Sequence, residues 1–221
     1  MICHFIGRAV DEAYECDYGR AEVERYEPSV IDKRVIQFWD ENCYKSDGHY
    51  VLPIPWKNRD EPIPNNFWMA KKRLDSLLAR LNNENLFERY DQEIRTMLAE
   101  GYTEIVDGSK LGAERVWYLP HYHVINPKKP NKLRVVFDCA AKFEGQSLNQ
   151  RVHQGPDLVN SLISVLLKFR LHAYAIQADI KGMYNQVSVP LQDRDALRFL
   201  WCEDGRLVHY RMKVHLFGGV W

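Results

Sequence analysis

The spacing of apolar residues changes at Gly101, and that change limits the fold more than any other feature of the 221-residue chain. Before it, "NNFWMAKKRLDSLLARLNN" sets Phe67, Ala70, Leu74, Leu77, Leu78 and Leu81 at helical spacing. "NENLFERYDQEIRTMLAEG" does the same with Leu86, Phe87, Tyr90, Ile94, Met97 and Leu98. Residues three and four apart share a helix face, so each stripe predicts a helix with one buried side, and Gly101 is a natural stop for the second. After Gly101, "YTEIV", "RVWYLPHYHVIN" and "KLRVVFDCA" are short and rich in β-branched and aromatic residues, with Pro, Gly and Lys turns between them. That is the pattern of strands. "ALRFLWCEDGRLVHYRMKVHLFGG" reads as a hairpin around Asp204-Gly205. Helices followed by ribbons and hairpins predict an α+β fold, not a doubly wound parallel sheet.

Four further segments refine the order. In "PSVIDKRVIQFWDENCYK", Ser29 caps a helix with Asp32 three residues on, and Val30, Val35, Ile36 and Phe38 or Trp39 form its apolar stripe. "DGHYVLPIPW" reads as a turn and a short extended segment, and Pro53, Pro55, Pro62 and Pro64 keep residues 53–65 out of regular structure. "DLVNSLISVLLKFR" returns to a helical period. "HAYAIQADI" predicts a strand, so that 172–189 runs as a strand into a turn or short helix at 180–186 beside the hairpin 196–215. Three parts follow: a weakly ordered leader over 1–27, a helical segment over 28–101, and a further unit over 102–221. There is no internal repeat.

Charge narrows the choice of partner only locally. Thirty Lys and Arg balance thirty Asp and Glu. The stretch "PHYHVINPKKPNKLR", however, carries Lys128, Lys129, Lys132 and Arg134 with no acid, and such a loop is either solvated surface or a holder of phosphates. Five scattered cysteines, Cys3, Cys16, Cys43, Cys139 and Cys202, show no metal-binding spacing and predict free thiols in a reducing compartment. "MICHFIGRAV" lacks the apolar core of a signal peptide, and no apolar run reaches membrane-spanning length. The expectation is an intracellular, cytoplasmic protein.

Several residues could carry chemistry. Asp179, at the end of an apolar run, either caps the turn "DIKGMY" or ligates a metal, with the Gly182 and Met183 amides facing an anion. Arg134, Val136 and Asp138 share a strand face, which leaves Arg134 either forked on a phosphate or paired with Asp138. His121 and His123 also share a face, but the sequence points to no third ligand for zinc. No nucleophile elbow or phosphate-binding glycine loop occurs. Glu203-Asp204 is explained by turn chemistry.

Taken in order, "WYLPHYHVINPKKPNKLRVVFDCAAK", "SLNQRVHQGPDL", "LLKFRLHAYAIQADIKGMYNQVSVPLQDRDALRFLW" and "HYRMKVHLFGG" resemble the N-terminal half of the reverse transcriptase of BEL/Pao long-terminal-repeat retrotransposons. "GHYVLPIPWKNRDEPIPNNFWMAKKRLDSLLARL" is similar to the segment preceding that polymerase in Pao polyproteins, so the resemblance covers roughly residues 28–221.

The resemblance implies the fingers and first part of the palm of a right-hand polymerase over 102–221. Lys128 and Lys129 would meet nucleic acid. Arg134, with Lys132, matches the fingers cation that holds the incoming triphosphate. Asp179 matches the first catalytic aspartate, a ligand to two Mg²⁺ (or Mn²⁺) ions. Tyr184 matches the aromatic that stacks under the sugar and rejects a 2′-hydroxyl, and Phe217 and Gly218 match the pair beside nucleotide and template. Gly182 and Met183, immediately before Tyr184, would join it in binding the nucleotide. The partners implied are an RNA or DNA template-primer and deoxynucleoside triphosphates, with no membrane; the implied setting extends to a virus-like particle or the nucleus. The family's Tyr-x-Asp-Asp turn does not occur in these residues, which contain no adjacent Asp pair. The expectation is a chain that lacks the downstream palm and is inactive alone. The alternatives are a non-catalytic relic or domesticated nucleic-acid-binding module, and an unrelated α+β interaction domain.

Overall fold

The computed structural model describes residues 28–106, 115–171 and 173–221. The leader, with Cys3 and Cys16, lies outside the described residues. Ser29 starts the first helix, α1 (Val30–Asn42), through the expected capping box: its hydroxyl accepts from the Asp32 amide while the Asp32 carboxylate accepts from the Ser29 amide. Val35 and Trp39 are the buried members of its stripe; Val30, expected in it, is exposed. The hairpin of β1 (Tyr44–Ser46) and β2 (His49–Val51) follows, then the proline-rich segment, which is irregular as expected.

Helices α2 (Phe67–Asn83) and α3 (Phe87–Ala99) bury Ala70, Leu74, Leu77 and Leu81 on one and Tyr90 and Ile94 on the other. Strand β3 (Thr103–Ile105) comes next, then the long ribbon of β4 (His121–Asn126) and β5 (Lys129–Phe137). Short helices α4 (Leu148–Arg151) and α5 (Leu162–Phe169) precede a 3₁₀ turn at Met183–Gln186 and strand β6 (Val187–Ser188). A second 3₁₀ turn, Leu191–Leu197, leads into β7 (Arg198–Glu203) and β8 (Arg206–Met212). The hairpin turn is where the sequence puts it, with Asp204 and Gly205 at φ 48° and 76°.

The strands form three sheets, ordered β1–β2–β6, β3–β8–β7 and β4–β5. Pairing is antiparallel except between β2 and β6. This is the α+β fold that the sequence predicts. One continuous core brings Leu74, Leu77, Leu81 and Ile94 of the helices against Trp117, Phe199, Trp201 and Tyr210. Fully burying each such side chain stabilises by about 1.5–3 kcal/mol. Among the described residues no helix is long and apolar enough to cross a membrane.

One strand is not where the sequence puts it. Residues 173–180 form no strand, and Tyr174 and Ile176 are each 92% exposed. The physical reason is that the hairpin it was expected to join offers it no free edge. Both edges of β8 are taken, by β3 and β7. The outer edge of β7 is blocked: Leu119 N–H donates to Arg198 O (2.7 Å), Arg198 N–H donates to Trp117 O (3.1 Å), and the His121 ring occupies Leu200 O. Beyond the end of β8, Val189 N–H donates to Lys213 O and His215 N–H to Val187 O, so only 187–189 of the expected strand lies beside the hairpin run.

Candidate nucleic-acid interface

The β4–β5 ribbon has two unlike faces because alternate residues point opposite ways. His121, His123, Ile125, Leu133, Val135 and Phe137 face the helices. Tyr122, Val124, Lys132, Arg134 and Val136 face outward, with Tyr122 opposite Val136 and Val124 opposite Arg134. Helix α3 braces the far end, where the Arg89 guanidinium donates to Pro130 O (3.0 Å). Lys128, Lys129, Lys132 and Arg134 are all exposed, and no acid among the described residues pairs with them. The outward face therefore combines one aromatic ring with a row of uncompensated cations.

The inward histidines are structural. His121 is buried; its Nε2–H donates to Leu200 O (2.9 Å), which leaves Nδ1 to accept from the Tyr90 hydroxyl. Burial pulls its pKa down to about 4. His123 Nε2 meets Glu84 at 3.0 Å. The two rings thus serve packing and the helix contact.

At the other end of β5, residues distant in sequence converge. Phe217 and Tyr184 meet edge to face, with ring centroids 5.6 Å apart and planes at 76°. Phe217 is 70% exposed and Tyr184 39% exposed, so both rings are open to a ligand. Gly218 holds φ +125°, and a Cβ there would stand 2.6 Å from Phe137 O. That contact with backbone leaves room only for glycine and fixes Phe217 at the base of the ribbon. The Asn149 side chain donates to Gly218 O (3.3 Å). Beneath lies Cys139, whose thiol burial pushes up to about 12, an unreactive core group. Asp138 pairs with Arg73 of α2 (3.3 Å), the partner it takes in place of Arg134.

Tyr184 sits on the 3₁₀ turn that follows Gly182, whose backbone is left-handed (φ 59°). Asn185 N–H donates to Gly182 O (2.7 Å) and the Gln186 side chain to Lys181 O (3.0 Å). Lys181 reaches Glu100 at the end of α3 (3.2 Å). Hydrogen bonds from Tyr102 and then from Lys181 lower the Glu100 pKa.

Tyr184, Phe217 and Gly218 are thus brought together, and Asp138 lies next to the Phe137 carbonyl that Gly218 touches. Lys132 stands six residues along β5 from Asp138, about 20 Å away at roughly 3.3 Å per residue, and Arg134 about 13 Å away. Asp179 is exposed in the unpaired 173–180 stretch. Among the described residues no three His, Cys, Asp or Glu side chains come together to hold a metal ion. The donor set at Asp179 does not fit a two-ion site, which needs several carboxylates on ions about 3.5–4 Å apart.

Sequence reasoning missed the polar groups that hold these parts in place. Asp193 is wholly buried and accepts from Ile54 N–H (3.1 Å), Trp56 Nε1–H (3.0 Å) and Arg59 (2.9 Å), fastening the proline-rich segment to the second 3₁₀ turn. Asn66, also buried, receives Tyr118 N–H (2.7 Å) and donates to Tyr118 O (2.8 Å). Asp195 bridges the buried guanidiniums of Arg198 (2.8 Å) and Arg211 (3.0 Å). Asn66, just before an apolar stripe, is a visible signal; the acids in "PLQDRDAL" carry none.

Scanned against protein-family models and against curated proteins, the chain matches none.

Proposed function

We propose that the chain is the fingers and first part of the palm of an RNA-directed DNA polymerase of the BEL/Pao type. The observation that carries this reading is the convergence of Tyr184, Phe217 and Gly218 at the base of a ribbon whose outward face bears Lys132, Arg134 and Tyr122. An edge-to-face aromatic pair open to solvent suits a sugar and base, since every base has a π-face. A guanidinium on an adjoining strand face suits a triphosphate, which it can meet with two parallel hydrogen bonds. Lys128 and Lys129 extend that field to a template or primer backbone.

In this role the chain positions nucleotide and template. Mg²⁺ belongs to the reading only as an ion that Asp179 would share with carboxylates that the described residues do not bring to it, so the chemical step is not assigned to these residues. A second reading, a nucleic-acid-binding module without polymerase activity, is favoured by the solitary Asp179. The partners are a template-primer and deoxynucleoside triphosphates in the first reading and a single strand alone in the second.

Photocrosslinking tests both. A uniformly photoreactive RNA oligonucleotide at low salt should label Tyr122, Tyr184 or Phe217. Adducts confined to other surfaces, or no adducts, would sink both readings. Adducts on Tyr122 with none on Tyr184 or Phe217 would leave the binding module and remove the polymerase.

A further inference from the structure

We propose that residues 159–180 form a surface for a second copy of this chain, in which the two 173–180 segments pair as antiparallel strands and the apolar sides of the two α5 helices become buried. The surface does not rest on the polymerase reading and stands or falls separately from it.

Helix α5 is apolar yet buries none of its residues. Ser164 and Lys168, one turn apart, are its polar positions. At 100° per residue the remaining side chains sweep an arc of about 200°, twice the stripe that a surface helix needs for one packed side. The exposure continues past the helix through Leu171 (66%), Tyr174 and Ile176. Ten large apolar side chains between 159 and 176 stand in the open. Together they present roughly 1,000 Å² of apolar area, at ~150 Å² for a large side chain. The largest patch on a typical monomer is about 300–600 Å². A stable interface takes about 800 Å² from each partner. The area therefore matches what a dimer needs.

The backbone points the same way. None of residues 173–180 makes a backbone hydrogen bond with another described residue. A run of unpaired N–H and C=O groups with alternating side chains is a template for another strand. Tyr174, Ile176, Ala178 and Ile180 would share one face, and Ala173, Ala175, Gln177 and Asp179 the other. Two copies related by a two-fold axis pair antiparallel. Centring the pair on Ile176 or on Gln177 keeps the two apolar faces together, since a shift by one residue would set apolar against polar. The Gln177 register places Asp179 opposite Ala175. The two Asp179 carboxylates then lie about 13 Å apart along the strands, beyond a Debye length at about 0.1 M salt. The segment is thus self-complementary in shape, pattern and charge.

The test is sedimentation velocity of the 221-residue chain from about 1 to 100 μM, with hydrogen exchange on the same samples. The expected result is a monomer–dimer equilibrium with slowed exchange at 173–180. Ile176→Lys, at a position too exposed to affect folding of the monomer, should raise the dissociation constant about 100-fold and abolish that protection. Trp68→Lys, at another exposed apolar side chain elsewhere, should change neither. A monomer at every concentration overturns the proposal. So does a dimer that Ile176→Lys leaves intact, open-ended aggregation without a dimer plateau, or transfer of the chain to phosphatidylcholine vesicles instead of self-association.

Discussion

Removing the ribbon's charge gives the sharpest test of its outward face. The perturbation is Lys128→Ala, Lys129→Ala, Lys132→Ala and Arg134→Ala together. All four side chains are exposed and none is paired with an acid among the described residues, so each is free to neutralise one phosphate. Every phosphate neutralised on a single strand lowers the logarithm of affinity by about 0.7 per decade of salt. Four contacts give a slope of about −2.8, so affinity falls about 50-fold between about 50 and 200 mM salt. The assay is fluorescence anisotropy of a labelled single-stranded RNA across that range, for the native chain and the variant. The variant should bind weakly with a slope close to zero. Surface substitutions of this kind each stay within about 0.5 kcal/mol of neutral in either direction, so the urea midpoint should show the variant still folded. Lys71→Ala serves as the control, because Lys71 is already paired with Asp75 on α2. A slope unchanged in the fourfold variant would refute the argument and leave the ribbon as ordinary solvated surface.

Other expectations concern positions that set the site. Asp193→Ala strands three donors, two of them from the proline-rich segment's backbone and indole, and should cost about 3 kcal/mol in urea denaturation; a loss below about 1 kcal/mol would mean that water replaces the carboxylate. Gly218→Ala meets the Phe137 carbonyl and should cost about 2 kcal/mol or more, whereas Gly182→Ala has its nearest neighbour at 3.6 Å and should cost only about 1 kcal/mol for its left-handed backbone; equal costs would contradict the close approach at Gly218. His121 and His215 are buried neutral, each with a pKa pulled down to about 4 by burial, so the unfolded chain binds protons that the folded chain refuses as pH falls below about 6.5. Stability is therefore full above that pH and declines toward pH 4 by up to about 3 kcal/mol per histidine, and a flat profile of urea midpoints over that window would show that the rings are protonated in the fold.

The sequence carried the helices and hairpin because each has its signal in adjacent residues. Ser29 and Asp32 cap α1 within one turn, the leucine stripe of α2 repeats within its own length, and Asp204-Gly205 turns the hairpin where it stands. Positions of the ribbon cations were legible for the same reason, since period-two alternation puts Lys132 and Arg134 on the face away from Leu133. The polar fasteners were not legible. Asp193 acquires its role from Ile54, Trp56 and Arg59, more than a hundred positions upstream, and nothing near it in the chain marks it as different from Asp195.

The stretch 173–180 shows a further limit. Its alternation says which side chains share a face, and its apolar content says that the face should leave water. Neither says what supplies the hydrogen bonds. A strand exists only where another backbone presents unpaired groups at about 4.8 Å. In this fold the edges of the hairpin are taken, by Leu119 and the His121 ring on β7 and by β3 on β8. The unused pattern is thus a demand for a partner, and α5, next to it in sequence, is likewise apolar and uncovered. Satisfying either one takes backbone and apolar area that the described fold does not bring to it. That is why a single substitution, Ile176→Lys, distinguishes a surface made for association from an exposed run with no partner at all.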